Sequence, residues 1–336
     1  MATNISYASG DTILETLVLH TLPDFGEHGD GIINSNLLLA YMKDKKRFKV
    51  LDGGLELWKG VLKSENSNAK WQGAGDTMSA QLQDPNERLR WDIKIFTDSI
   101  VINKLDEARN KGRAMIKNFA QTLRDQAEST IPNNFNSAFW AATPGTNEPN
   151  SIPSLISTTP TTGSIGGLSR VGRKELQNGV STATIADIGA EAGLSALFKQ
   201  IVSRTVGKDG PDLVIMTDTL WAGLAAYLNT LARYGANERM AQLDFDTIKY
   251  GRATIGYENV TGLKTSANSI SSGYIYGLNS NHLAFECLKD GNFTWNPDGF
   301  ERVGQTLNKA LYFWVFCNLT TNLPWSHFVM TNVSTT

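Results

Sequence analysis

Apolar residues recur every three or four positions across residues 103–131, at Leu105, Ala108, Gly112, Ile116, Phe119, Leu123, Ala127 and Ile131. Lys104, Lys111, Lys117, Arg124 and Asp125 take the other faces. This period predicts one amphipathic helix over 103–131, opening at polar Asn103 and ended by Pro132, which cannot donate the next helical bond. At about 1.5 Å per residue the helix is roughly 40 Å long. A helix of that length needs a large body to lie along.

A period of two replaces this pattern just upstream. Leu89, Trp91, Ile93 and Ile95 alternate with Arg90, Asp92 and Lys94 and end at Phe96, the signature of a half-buried strand. Residues 55–63 form a less regular partner, and the two predict a hairpin. Between them, residues 64–88 are polar, contain Gly73, Gly75 and Pro85, and far exceed an ordinary hairpin loop. Strands of this length carry such a loop about 30 Å from the body. Trp71 and Met78 near its tip have no local core to enter. With Trp58, Lys70 and Arg88 on the same projection, they are candidate contacts with another subunit.

The first fifty residues hold two small amphipathic pieces, 11–20 behind Asp11 and 35–42, separated by Pro23, Gly26, Gly29 and Gly31. They make a poor independent core and read as an arm that packs on something else. Residues 143–164, with four prolines, read as an irregular crossing. The glycines around Gly166 and Gly167 match no phosphate-loop pattern and read as a turn. A helix is predicted over 182–205 from a capping-box-like start at Thr184 to Asp187, then an apolar strand at 211–216 and a helix capped by Thr217 and Asp218. Strands follow at 253–257, 273–278 and 282–287. Two final apolar strands, 311–317 and 325–330, are expected to return together to the long helix.

Composition narrows the function. The 336 residues are 41% hydrophobic and 19% charged, as in a folded chain of two domains or of one domain with a large insertion. A net charge of -2 makes tight nucleic acid binding a poor first reading. Cys287 and Cys317 lack CxxC spacing and read as small buried hydrophobes in a reducing compartment. The N-terminus lacks a basic region followed by an apolar core, and no run approaches eighteen apolar residues, so the expectation is a soluble, unexported chain with no membrane partner.

No catalytic constellation emerges, and no catalytic, metal or cofactor residue is assigned. His20 and His28 lie near Asp24, Glu27 and Asp30 without metal-ligand spacing, and read as a solvated acidic turn. His282 and His327 fall in predicted strands as hydrogen-bonded core groups. Ser195 and Ser203 sit in a helix without the strained turn that exposes a nucleophile. Asp106 and Glu107 favour a helix start, and Asp244 and Asp246 have no partner base.

The order of these pieces resembles the major capsid protein of tailed bacteriophages, an α+β fold of the Hong Kong 97 type, over nearly the whole chain. The resembling stretches are residues 34–39, Gly53 with Gly54, residues 89–94 leading to 110–112, residues 159–163 with 165–167, and residues 211–215. The resemblance implies an N-terminal arm over 1–50 and an extended loop over 51–98. It implies a peripheral domain over 99–180 and 291–336 with the helix 103–131 as its spine, and an axial α/β domain over 181–290. It further implies a structural protein, not an enzyme, that assembles with itself as hexamers and pentamers into an icosahedral shell around double-stranded DNA and expands on maturation. Portal and scaffolding proteins are implied partners, a decoration protein is an optional one, and assembly is placed in the host cytoplasm. No fused scaffolding segment is expected. Lys104, Arg113, Lys117 and Arg124 become candidates for facing neighbours or packaged DNA. The alternatives are a nanocompartment shell of the same fold around a cargo enzyme, and a hydrolase built on the α/β part.

Overall fold

The computed structural model describes residues 36–62, 66, 68–77, 80–82, 86–105, 126–127, 130–231, 247–258, 270–296 and 299–335. The chain enters through α1 (Leu37–Asp44), whose N-cap Asn36 accepts a hydrogen bond from the Leu39 amide. Leu37 through Met42 are all buried, so this helix is apolar all round and lies inside the protein. Next come β1 (Phe48–Leu51), the hairpin β2 (Glu56–Leu62) and β3 (Asn86–Asp92), and β4 (Lys94–Asn103). Residues 130–140, here α2, are helical, and a short α3 (Ile152–Leu155) is closed by a capping box between Ser151 and Ser154. The remaining elements are β5 (Ser164–Ile165), β6 (Leu168–Ser169), β7 (Gly179–Ser181), α4 (Glu191–Ser203), β8 (Leu213–Thr217), α5 (Asp218–Leu231), β9 (Ile248–Tyr250), β10 (Ala253–Glu258), β11 (Ile275–Leu278), β12 (Leu283–Leu288), β13 (Thr294–Trp295), β14 (Glu301–Arg302), β15 (Asn308–Thr321) and β16 (Phe328–Met330).

Two six-stranded sheets organise these elements. In the first, β15 runs 14 residues and pairs with β4 from Asn308↔Asn103 to Cys317↔Lys94. Ala310 faces Val101 on one side and Glu301 on the other, so β14, β13 and β12 follow one another along the second edge. β1 extends that edge in parallel with β12. The second sheet has the order β7-β16-β11-β8-β10-β9. Alternation along β8 divides its residues: Leu213 and Ile215 join the main core, while Val214 and Met216 join a second core under α4 and α5. α1 fills the main core against this sheet, and a Cβ on Gly256 would fall 2.4 Å from Leu37 Cδ2. Glycine at that position permits the helix to reach the strand.

Several expectations change. Residues 36–50 are core and sheet in their own right, whereas the sequence reading made them part of an arm. Pro132 does not end the helical path, because α2 carries the helix through it to Trp140. Burial of Ile131, Phe135, Phe139 and Trp140, at about 1.5–3 kcal/mol each, holds this helix against the core. Helical residues also occur at 104–105 and 126–127, and most of the predicted spine between them lies outside the described residues. α4 begins at Glu191, later than the capping pattern at Thr184, because Ile185 bridges Val333 and the Ile188 amide donates to Ser334 O at 2.9 Å. The last two strands do not return together: β15 belongs to the first sheet and β16 enters the second between β7 and β11. Likewise β12, expected within the α/β part, pairs with β15.

Replacing Leu39 with alanine is expected to cost about 2–5 kcal/mol of stability, read as a fall in the denaturant midpoint of the unassembled chain. A loss below about 0.5 kcal/mol would place α1 outside the core.

Candidate assembly surfaces

The hairpin is the feature with the most to explain. β2 and β3 pair over seven residues, from Glu56↔Asp92 to Leu62↔Asn86. Leu57, Val61, Leu89 and Trp91 turn inward, while Trp58, Arg88 and Arg90 occupy the outer face. Arg88 lies over the Trp58 ring at 4.9 Å from its centroid, and the Trp58 indole donates to Glu56 Oε2 at 2.9 Å. Three contacts fix the base of the hairpin to the body. Lys59 on β2 pairs with Glu286 of β12, a carboxylate only 3% exposed. Arg173 grips Glu87 through both guanidinium nitrogens. The Arg90 amide donates to Gly166 O at 3.0 Å.

Gly166 and Gly167 form the two-residue turn between β5 and β6, with φ of 53° and 80°. Positive φ at both central positions is the type I′ hairpin geometry. The turn read from the sequence is therefore present, and it seats the larger hairpin: a Cβ on Gly166 would fall 2.9 Å from Leu89. Arg170 behind it is buried, which lowers its pKa to about 10, and it donates to Asn178 Oδ1 and Leu155 O. An open groove of about 600 Å3 runs beside this contact, lined by Asn86, Glu87, Arg88, Arg90, Gly166, Gly167 and Leu168.

Beyond the paired strands the described part of the loop remains narrow. Asn68 exchanges two hydrogen bonds with the Gln81 backbone, at 2.7 and 3.2 Å, and the Gly73 amide donates to Asp76 Oδ2 at 2.7 Å in a turn. Trp71 and Leu82 are 102% and 103% exposed, so neither is covered by its own chain. Lys70 and Lys104 are exposed too. Met78, Arg113, Lys117 and Arg124 lie outside the described residues, as do His20, His28, Asp106, Glu107, Asp244 and Asp246.

The outer face of the first sheet is a surface that sequence reasoning missed. Ile95, Thr97, Ser99 and Val101 are exposed on β4, beside half-buried Phe316, Trp314 and Tyr312 on β15. The run 311–317 is apolar throughout and reads as wholly buried. In the structure Phe313, Val315 and Cys317 take the inner face and leave the intervening aromatics outside, a division that a continuous apolar run does not display.

His282 and His327, expected in strands, lie just outside them, where the chain crosses between the sheets. His282 Nε2 is 2.6 Å from Asp209 Oδ2, and its Nδ1 is 2.9 Å from Asn322 Oδ1. The Asn279 amide donates to His327 Nδ1 at 3.1 Å, which leaves Nε2 to carry the proton toward Thr321 Oγ1. Burial drives the His327 pKa down to about 3. Burial alone would raise Asp209, but hydrogen bonds from Asn281, Asn279 and His282 hold it at about 2. The hydroxyl beside His327, that of Thr321, faces a protonated Nε2 and so meets no base there, and Ser280 donates to Asp212 at 2.5 Å. Its chemistry is that of a clamp. Among the described residues, no group of three His, Cys, Asp or Glu is arranged to hold a metal, and no helix is long and apolar enough to cross a membrane.

No protein-family model matches the chain, and no curated protein matches it in sequence. Solved structures do. The capsid of cyanophage A-1(L) superposes with a TM-score of 0.62 at 11% identity, over 86% of this chain and 90% of that one. The capsid of an empty GTA particle gives 0.56 at 9% identity over 86% and 89%, and that of Myoviridae phage XM1 gives 0.50 at 13% over 85% and 90%. The fold is the Hong Kong 97 type capsid fold.

The crossing clamp predicts an acid-sensitive fold. The folded pKa of His327 lies below its usual 6.5, so its stabilising contribution is complete above about pH 6.5 and is lost as pH falls toward 3. That of Asp209 is complete above about 3.8 and is lost toward 2. The denaturant midpoint is expected to fall between about pH 7 and pH 4, with His327→Gln flattening that slope. An unchanged slope in the variant would remove His327 from the account.

Proposed function

We propose that the protein is the structural subunit of a tailed-phage capsid, assembling with itself into a closed icosahedral shell around double-stranded DNA and residing in the virion. The observation that carries this reading is the superposition of most of the chain on capsid subunits of two phages and a GTA particle, over nearly their whole length. The exposed Trp71 and Leu82 support it, because a subunit with neighbours has somewhere to bury them. So does the net charge of -2, which suits a shell that holds DNA without gripping it.

In this reading residues 51–98 are the extended loop. The helical path from 103 is the spine of a peripheral domain built on the first sheet, and the second sheet with α4 and α5 is the axial domain. Trp58, Lys70, Trp71, Met78 and Arg88 contact neighbouring subunits, within hexamers and pentamers or between them. Lys104, Arg113, Lys117 and Arg124 face neighbours or packaged DNA. Assembly takes place in the host cytoplasm with scaffolding and portal proteins, a decoration protein being an optional addition, and the shell expands as DNA enters.

Purified protein, supplied with its scaffolding protein, is expected to sediment as closed shells visible by negative-stain microscopy. Removing residues 72–83 should leave the circular dichroism of the soluble chain unchanged and abolish those shells. Monomers alone from the intact protein would overturn the reading, and loss of soluble monomer on deletion would make the loop part of the core.

A further inference from the structure

Cys287 and Cys317 are 30 positions apart in sequence and directly opposite each other in the first sheet, one on β12 and one on β15. The register across the sheet at this level runs Val50, Cys287, Cys317, Lys94, so the pair sits where β1, β12, β15 and β4 lie side by side. Both thiols are free, are buried at 1% and 3% exposure, and belong to the main core. Cys317 lies close enough to Cys287 to help raise the pKa of its thiol. Opposed residues of an antiparallel pair have Cα atoms roughly 4.5–5.5 Å apart, inside the roughly 4.4–6.8 Å span of disulfides.

We propose that Cys287 and Cys317 are a latent cross-strand disulfide, closed when the protein meets a small-molecule disulfide in oxidising surroundings. One thiolate attacks a sulfur of glutathione disulfide, forming a mixed disulfide and releasing one glutathione. The second thiolate then displaces the other glutathione, so the two protein thiols lose two electrons and two protons, and two glutathione thiols are formed. Burial raises the Cys287 pKa and keeps its thiol protonated. Closure therefore proceeds while β12 is open, either transiently or before the sheet has formed.

The bond would have a defined structural effect. β12 follows the crossing from the second sheet, and β15 leads to the return crossing through β16. Joining them fastens both passages to one point and closes a loop of about 30 residues, which constrains the unfolded chain.

The test uses the full chain, synthesised in vitro in buffer rich in glutathione disulfide, so that the thiols meet the oxidant before they are buried. Parallel samples are made with dithiothreitol, and a Cys317→Ser variant is made in both buffers. Remaining thiols are alkylated after denaturation. Most chains made with the oxidant are expected to carry no alkyl label. Tryptic peptides 265–289 and 310–336 should be linked, and the melting temperature should exceed that of the reduced sample by a few degrees, a difference absent in Cys317→Ser. Two labels per chain, a persistent glutathione adduct, or a linked protein that melts at or below the reduced one would each overturn the proposal.

Discussion

The ladder between β4 and β15 is the constraint on which the structure depends. Ten consecutive residue pairs hold these strands together, and every other strand of the first sheet except β1 is hydrogen-bonded to β15. The inner face of β15 presents Phe313, Val315, Cys317 and Leu319 to the main core. Phe135 of α2 gathers an aromatic cluster there, with Phe96, Phe293, Phe139 and Phe285 between 5.0 and 6.3 Å away by ring centroid. The hairpin is the continuation of this frame, since β3 and β4 are separated only by Ile93. A strand locked along ten residues gives its outward extension a fixed starting direction.

Polar groups fix what the apolar core leaves free. A hydrophobic cluster is nondirectional, whereas the Lys59 to Glu286 and Arg173 to Glu87 pairs specify how the hairpin leaves the body. Partly buried ion pairs contribute little net stability, so their consequence is orientation. The same division holds at the crossings, where Asp209, His282 and His327 join loops that carry the chain from one sheet to the other. Losing one of these contacts changes geometry before it changes the presence of a core.

Much of this was legible in the sequence, and the departures have physical causes. Alternation at Leu89 and Trp91 revealed the hairpin strand β3 but does not carry through Ile93, since Ile95 is exposed on β4 in the other sheet, and the apolar run before Asp218 revealed the second sheet and its helix. Sheet membership was hidden, because β15 and β16 are both apolar and only pairing distinguishes their destinations. α1 was taken for part of an arm because eight residues cannot form a core alone, yet they complete one made by others. Capping chemistry near Thr184 was overridden by pairing of Ile185 with the chain end. For the candidate assembly surface, the exposure of Trp71 was foreseeable from a tryptophan in a long polar loop. The aromatics at Tyr312, Trp314 and Phe316 were not, since a continuous apolar run conceals which face meets solvent.

In the proposed shell a rigid frame carries an exposed projection that a neighbouring copy of the chain covers. Cryo-electron microscopy of assembled shells tests that claim most directly. The account predicts that Trp71 and Leu82 are buried against a neighbouring subunit, with the β4 and β15 ladder intact behind them. A loop folded onto its own first sheet, with its tip remote from every neighbour, would contradict it.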